Sequence, residues 1–157
     1  MTAMLRPATP ADRPDLIALA RAEDAAWSGA PEVSAEEVGE LIDRYRPGVI
    51  FERDGRVAGY AAVDEGGGTV LLLDPGDGPG PALEALVAWL GERGHNQVDT
   101  YAADARRIAW LEAHGSSHRR SFFDLQRGIE PPPTPAPRRA RDRVGRRARL
   151  QRRARVG

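Results

Sequence analysis

The sequence contains no cysteine and no lysine, and only 6% of its 157 residues are aromatic. Without cysteine, the chain has neither disulfides nor thiolate chemistry. Without lysine, all 23 basic side chains are arginines. The three histidines lack the spacing of metal ligands, so we expect no metal cofactor.

Long apolar runs are also absent, and none approaches the length of a membrane span. The first 14 residues, MTAMLRPATPADRP, have no apolar segment typical of a signal peptide. We therefore expect a soluble cytoplasmic protein with no membrane partner. A chain of 157 residues is long enough for one domain with a substantial core.

The net charge of zero hides two segments of opposite sign. Residues 1–130 carry 13 arginines and 22 acidic residues, a net charge of −9, whereas residues 131–157 carry 10 arginines and one aspartate, a net charge of +9. This composition predicts an acidic folded domain followed by a disordered tail rich in proline and arginine.

Four interpretations of the tail remain open. In the first, the tail makes a weak, salt-dependent contact with the phosphates of a nucleic acid. In the second, it folds back electrostatically on the acidic domain, and in the third it is a solvated appendage without a role. Alternatively, its arginine, proline, alanine and glycine content reflects out-of-frame reading of GC-rich DNA.

The spacing of apolar residues predicts ten elements in the order β-α-α-β-β-β-α-β-α-β. Strands are predicted over residues 4–8, 48–53, 56–64, 70–73, 97–103 and 117–127, and helices beginning near Pro10, Ser34, Pro81 and Asp104. Asp54-Gly55 is a typical two-residue hairpin turn. The order predicts an α/β (α+β) fold whose mixed central sheet has helices on both faces.

The stretch from Thr69 to Gly94 is the centre of this pattern. An apolar strand is followed by a turn of glycine, proline and aspartate, and Pro81 then begins a helix. Free backbone N–H groups and the helix dipole favour an anion at such a turn, most often a phosphate. The alternative is an ordinary short connection between a strand and a helix.

Three segments and the element order carry a resemblance to a known family. The segments are LRPATPADRPDLIALA, ADARRIAWLEAHG and RRSFFDLQR. Together with the glycine turn after the fourth strand, they resemble the GCN5-related N-acetyltransferases (GNAT), in particular the mycothiol synthase-like branch. The resemblance covers residues 4–130 as an N-acetyltransferase-like domain and leaves residues 131–157 as the tail.

The resemblance implies acetyl-CoA as co-substrate, with the pantetheine along the fourth strand and the diphosphate on the following turn. The implied cofactor-binding residues are Leu72, Leu73, Gly76, Gly78, Gly80, Ala82 and Leu83. Pro75 stands where the family has Gln or Arg, and neither Pro79 nor Pro81 has an N–H to donate. The negative charges of Asp74 and Asp77 oppose the binding of an anion.

The catalytic residues have weaker support. In the family, a tyrosine on the last helix acts as the general acid that protonates the leaving thiolate. The corresponding position here is Leu111, which cannot donate a proton. Glu65 and Tyr101 are the candidate catalytic residues because they lie on strands near the expected cleft. The alternative interpretations are a solvated charge at a strand end for Glu65 and an amphipathic strand residue for Tyr101.

The implied function is acetyl-CoA-dependent N-acetylation of an amine on a small molecule, by a monomer or a homodimer. The alternative is a non-catalytic binding domain of the same fold, or one half of a tandem acetyltransferase. Arg119 and Arg120 are further candidates for a contact with a CoA phosphate.

Overall fold

The computed structural model of the protein describes residues 2–117, which form a four-stranded sheet with helices packed on it. The strands are β1 (Ala3–Pro7), β2 (Gly48–Arg53), β3 (Arg56–Val63) and β4 (Thr69–Leu73). A 3-10 turn (Pro10–Asp12) precedes helix α1 (Arg13–Ser28), which is followed by α2 (Ala35–Arg44), α3 (Pro81–Glu92) and α4 (Ala105–Ala113). The strands pair antiparallel in the order β1-β2-β3-β4.

Local capping and turn signals in the sequence are confirmed. The Ser34 hydroxyl accepts a hydrogen bond from the Glu37 N–H at 3.2 Å, and the Glu37 carboxylate accepts one from the Ser34 N–H at 2.8 Å. Asp54 and Gly55 have φ values of 50° and 75°, as the central residues of a type I′ hairpin turn require. The Asp104 carboxylate accepts from the Arg107 N–H at 3.0 Å and caps α4.

The sheet buries apolar side chains on both faces, as the period of two along each strand dictates. On one face α3 covers a cluster that includes Val49, Phe51, Ala61, Val63, Leu71 and Leu73. On the other face, Leu16 and Leu19 of α1 pack on Ile50, Tyr60 and Ala62. The predicted α+β class with helices on both faces is therefore confirmed.

The strand predicted over residues 97–103 is wrong. Within the described chain this segment has no strand ladder, and the Thr69 hydroxyl donates to the Gln97 carbonyl at 2.8 Å beside β4. The segment then turns, because the Tyr101 carbonyl accepts the Asp104 N–H at 3.0 Å. The sheet of residues 2–117 is consequently antiparallel rather than mixed. Most of the last predicted strand, from residue 118, and the tail 131–157 lie outside the described residues.

An ion-pair network fixes the entry into α1. Arg6 of β1 lies 2.7 and 3.0 Å from the two carboxylate oxygens of Asp12, which is 7% exposed. The same carboxylate accepts from the N–H and the hydroxyl of Thr9 at 2.8 and 2.7 Å. The Arg6 guanidinium and the Thr9 donors hold the pKa of Asp12 well below its usual range.

We expect Asp12→Asn to lower the free energy of unfolding by about 1.5–3 kcal/mol at pH 7, because charge-assisted hydrogen bonds are lost. Since the folded-state pKa of Asp12 is lowered, its contribution is complete well above the unfolded pKa near 3.9 and is lost as the pH falls below it. Urea unfolding at pH 7 and pH 3 checks both points. The exposed Asp15→Asn is the control, and an equal loss in both variants would contradict the prediction.

Candidate functional site

The loop between β4 and α3 forms one wall of a small surface cleft. The cleft is lined by Trp27 of α1, by five residues between Leu73 and Pro79, and by Asp104, Arg106 and Arg107 at the start of α4. Three elements that are distant in sequence therefore converge on the glycine turn singled out above.

Some backbone donors of this turn are already engaged. The Gly76 N–H donates to the Asp74 carboxylate at 2.9 Å, and the Asp77 N–H donates to the Asp74 carbonyl at 3.0 Å. Gly76, an implied cofactor contact, is thus occupied within the turn. Within residues 2–117, by contrast, the N–H groups of Gly78, Gly80, Ala82 and Leu83 have no hydrogen-bond partner. Free donors of this kind are what the binding of an anion at a helix N-terminus requires.

The side chains of four implied cofactor-binding residues belong to the apolar clusters on the two faces of the sheet. Ala82 and Leu83 are 1% and 0% exposed and pack into the core beneath α3, so only their backbone is available to a ligand. Leu72 packs with the cluster on the opposite face of the sheet, whereas Leu73 belongs to the cluster beneath α3. Whether these residues bind a cofactor stays a prediction.

The two carboxylates of the turn are neutralised by arginines of the β2–β3 hairpin. Arg56 lies 2.9 Å from the Asp74 carboxylate, and Arg53 lies 2.7 Å from the Asp77 carboxylate. Because each negative charge has a guanidinium partner, the repulsion of an anion is smaller than the sequence alone suggests.

Arg106 lines the cleft and was missed by sequence reasoning. Its guanidinium lies against Gly78, 2.7 Å from where a Cβ on that glycine would stand, and Gly78 has a φ of 62°. Arg106 is exposed and forms no ion pair or hydrogen bond within the part of the chain that the structure describes. Its place in the first turn of α4 was readable from the sequence, but the contact of α4 with the turn was not. Arg119 and Arg120 lie outside the described residues.

A buried carboxylate occupies the edge of β4. The Asp74 N–H donates to the Ala58 carbonyl of β3 at 3.0 Å, so the preceding N–H, that of Leu73, points away from β3. It is one of the groups that lower the pKa of the Glu23 carboxyl on α1. Glu23 is 1% exposed and forms an ion pair with Arg107, which is 2% exposed. Burial raises the pKa of Glu23, and the neighbouring Arg107 opposes that rise.

The two candidate catalytic residues are not part of the cleft lining. Glu65 is exposed in the turn between β3 and β4, next to Thr69 rather than Leu73. Since β4 separates this turn from the glycine turn, the length of the strand places Glu65 about 13 Å from the glycine turn. Their catalytic roles stay predictions.

Tyr101 is held by α1. Its hydroxyl donates to the Asp24 carboxylate at 3.1 Å, and burial together with that carboxylate raises the pKa of Tyr101 well above its usual value. A phenol in this state remains protonated at neutral pH. Leu111, which stands where the resemblance places the general-acid tyrosine, is 7% exposed and packs in the interior.

Residues 2–117 contain no group of three or more histidine, aspartate or glutamate side chains arranged to hold a metal ion. Over the same residues, each helix is too short or too polar to span a bilayer.

Comparison with known proteins finds solved structures that are similar to this chain. No protein-family model and no curated protein matches the sequence. A GCN5-related N-acetyltransferase from Sphaerobacter thermophilus is similar, with a TM-score of 0.57 and 24% identity over 72% of this chain and 42% of that one.

Two further solved structures are similar over most of both chains. The ribosomal-protein-S18-alanine N-acetyltransferase from Escherichia coli has a TM-score of 0.57 and 19% identity, over 79% of this chain and 85% of that one. An acetyltransferase from Clostridium acetobutylicum, solved with acetyl-CoA, has a TM-score of 0.55 and 14% identity, over 80% and 96%. The described residues, with their antiparallel sheet, two-sided helix packing and glycine turn before α3, thus have the fold of the GCN5-related N-acetyltransferases, as the resemblance predicted.

Proposed function

We propose that this protein is an acetyl-CoA-dependent N-acetyltransferase that acts on the amine of a small molecule. The observation that carries the proposal is the unpaired Arg106 guanidinium against Gly78, beside free N–H groups at the start of α3. The fold adds support, since one similar structure was solved with acetyl-CoA.

The residues of the turn suit a diphosphate. The N–H groups of Gly78, Gly80, Ala82 and Leu83 would donate to phosphate oxygens, and the positive end of the α3 dipole favours the same charge. Arg106 would add a planar pair of donors that matches the geometry of a phosphate. Pro79 and Pro81 remove two further donors, which makes the arginine more important here.

Acetyl-CoA supplies a thioester that an amine can attack directly. In that step the amine nitrogen forms a bond to the acetyl carbon and loses a proton to a carboxylate or a chain of water molecules. The carbon–sulfur bond breaks with its electron pair on sulfur, so that coenzyme A leaves as a thiolate, which takes up a proton from water. An N–H on the free edge of β4 would polarise the thioester carbonyl, and the cleft would hold the reactants together. The charge of −9 over residues 1–130 favours a cationic acceptor.

A second candidate function is binding without transfer by a domain of the same fold. One observation favours it: Leu111, which cannot donate a proton, stands at the position of the family's proton donor. This candidate predicts that acetyl-CoA binds but that no amine from a cationic panel causes release of free thiol.

Thermal unfolding with and without acetyl-CoA tests the proposal. At about 100 times its dissociation constant, the ligand should add ~2.7 kcal/mol to the free energy of unfolding and raise the Tm by several degrees. We expect Arg106→Gln to weaken binding about 10- to 100-fold, because a charge-assisted hydrogen bond to phosphate is lost. Titration calorimetry with acetyl-CoA measures this loss directly.

Arg93→Gln is the matched control. Arg106 of α4 lies beside the start of α3, whereas Arg93→Gln removes the same charge at the end of α3. Arg93 follows the last residue of that 12-residue helix, so it lies about 18 Å from the glycine turn. Its guanidinium stacks on the Trp89 ring at 3.9 Å. We expect the control to bind like the unaltered protein. Absence of a Tm shift at millimolar acetyl-CoA would refute the proposed function.

A further inference from the structure

Trp27 lines the cleft and carries a polar group that has no partner. It is the next-to-last residue of α1, and it borders the cleft together with the glycine turn and the start of α4. Its indole Nε1 is buried and, within residues 2–117, donates no hydrogen bond. A buried N–H without an acceptor costs free energy, and the indole of a buried tryptophan usually has a partner. The cleft is thus short of an acceptor for this donor.

Two contacts of α1 place Trp27 at the cleft. Glu23 forms a buried ion pair with Arg107 of α4, and the Asp24 carboxylate accepts from the Tyr101 hydroxyl at 3.1 Å. Trp27 follows Glu23 by four residues, so the two side chains lie on the same face of α1. The indole consequently lies on the side of α1 that faces the start of α4.

The other polar side chains of the cleft show the same excess of donors. Arg107 is 2% exposed, and its Nε makes no hydrogen bond within the described chain, although it lies 3.0 Å from the Asp104 carboxylate. Arg106 forms no ion pair or hydrogen bond with any described residue. The two carboxylates of the cleft, Asp74 and Asp104, are each paired with an arginine. What the described cleft lacks is therefore an acceptor, and its one unpaired charge is positive.

We propose that the Trp27 indole N–H binds the ligand by donating a hydrogen bond to a phosphate oxygen of the diphosphate on the glycine turn. This inference rests on the proposed function. A phosphate suits the cleft because it offers several acceptor oxygens and a negative charge to Arg106. Since Nε1 is shielded in the structure, the oxygen reaches it when the indole ring shifts within the cleft. Pairing then removes the cost of the unmet donor, so the indole adds affinity.

Trp27→Phe keeps an aromatic ring and removes the N–H. It should weaken the binding of acetyl-CoA about tenfold, the loss typical of one hydrogen bond to a charged group. It should weaken the binding of 3′-phosphoadenosine 5′-diphosphate, which has the phosphates but no pantetheine arm, by the same factor. Titration calorimetry on the full chain measures both affinities. Trp89→Phe is the matched control, because that ring lies on α3, outside the cleft lining and 3.9 Å from the Arg93 guanidinium.

Proton–nitrogen NMR of the tryptophan indoles gives a readout that a purely structural role of Trp27 would not move. The chain has three tryptophans, so Trp89→Phe and Trp110→Phe assign the Trp27 signal by elimination, whether or not Trp27→Phe folds. Saturating 3′-phosphoadenosine 5′-diphosphate should move the Trp27 indole proton downfield, because a hydrogen bond to phosphate forms. The Trp89 indole should keep its position.

The outcomes separate this inference from the proposed function. A tenfold loss for both ligands in Trp27→Phe but not in Trp89→Phe, with the downfield shift, supports the inference. A loss confined to acetyl-CoA overturns it, because the indole then contacts the pantetheine arm. Unchanged affinity for both ligands, an equal loss in the control or an unmoved indole signal also overturns it, and the proposed function stands. If the unaltered protein binds neither ligand, the proposed function fails and the inference fails with it.

Discussion

Arg107→Met should lower the free energy of unfolding by about 3–5 kcal/mol at pH 8. The variant leaves the Glu23 carboxylate buried, at 1% exposure, without its guanidinium partner. Removal of one member of a buried ion pair costs more than the pair contributes, because an uncompensated charge remains in a region of low dielectric constant. Urea unfolding measures the loss.

The pH dependence of the same variant identifies the charge responsible. Burial raises the pKa of Glu23 already when Arg107 is present, and removal of Arg107 raises it further. A raised folded-state pKa means that the folded state binds a proton that the unfolded state releases, so stability falls as the pH rises above the unfolded pKa. The free energy of unfolding of Arg107→Met should therefore be higher at pH 5 than at pH 8.

A double variant is the control for this prediction. In Glu23→Gln/Arg107→Met the Glu23 charge is gone, and the remaining Asp104 carboxylate keeps its hydrogen bond from the backbone N–H of residue 107, so at least half of the lost stability should return. A double variant as unstable as Arg107→Met at pH 8 would show that lost packing, rather than an unpaired charge, explains the effect.

Leu86→Ala should cost about 2–5 kcal/mol of unfolding free energy, because it opens a cavity between α3 and the sheet. Leu86 is 0% exposed, and its Cδ1 lies 2.7 Å from where a Cβ on Gly59 would stand. The absence of a side chain at Gly59 allows α3 to approach β3 this closely, so that Leu86 packs on the strand backbone. Such a site has little room to relax around a truncated side chain.

Chemical denaturation with Leu41→Ala as the control checks this expectation. Leu41 lies on α2 and is 37% exposed, so its truncation opens no cavity in the core. Its cost in unfolding free energy should be well under half of that of Leu86→Ala. A cost below about 1 kcal/mol for Leu86→Ala would mean that α3 settles onto the sheet after truncation, and that its contact with β3 is not tightly packed.

Local chemistry explains which sequence predictions succeeded. The capping box of Ser34 and Glu37 and the Asp54-Gly55 turn depend on atoms at most three residues apart, so the sequence contains all their determinants. The strand–turn–helix from Thr69 onward was equally readable, since an apolar run, a glycine turn and Pro81 follow one another directly.

The prediction for residues 97–103 failed for the opposite reason. Val98 and Tyr101 have the composition of a strand, but a strand also requires a partner with free backbone groups. Instead, the segment meets β4 through the Thr69 hydroxyl, which donates to the Gln97 carbonyl, and the Tyr101 hydroxyl donates to the Asp24 carboxylate of α1. Neither contact can be read from the segment itself.

The sequence by itself determined the helices, the antiparallel hairpins, the two-sided core and the glycine turn, because each depends on periodicity or on short-range hydrogen bonds. Only the tertiary structure decided what surrounds the turn. It placed Arg106 on Gly78, paired Asp74 and Asp77 with arginines 18 and 24 positions away, and buried Glu23 against Arg107 across 84 positions. Such pairs form because folding brings opposite charges together where water is scarce, and no local pattern records which charges will meet.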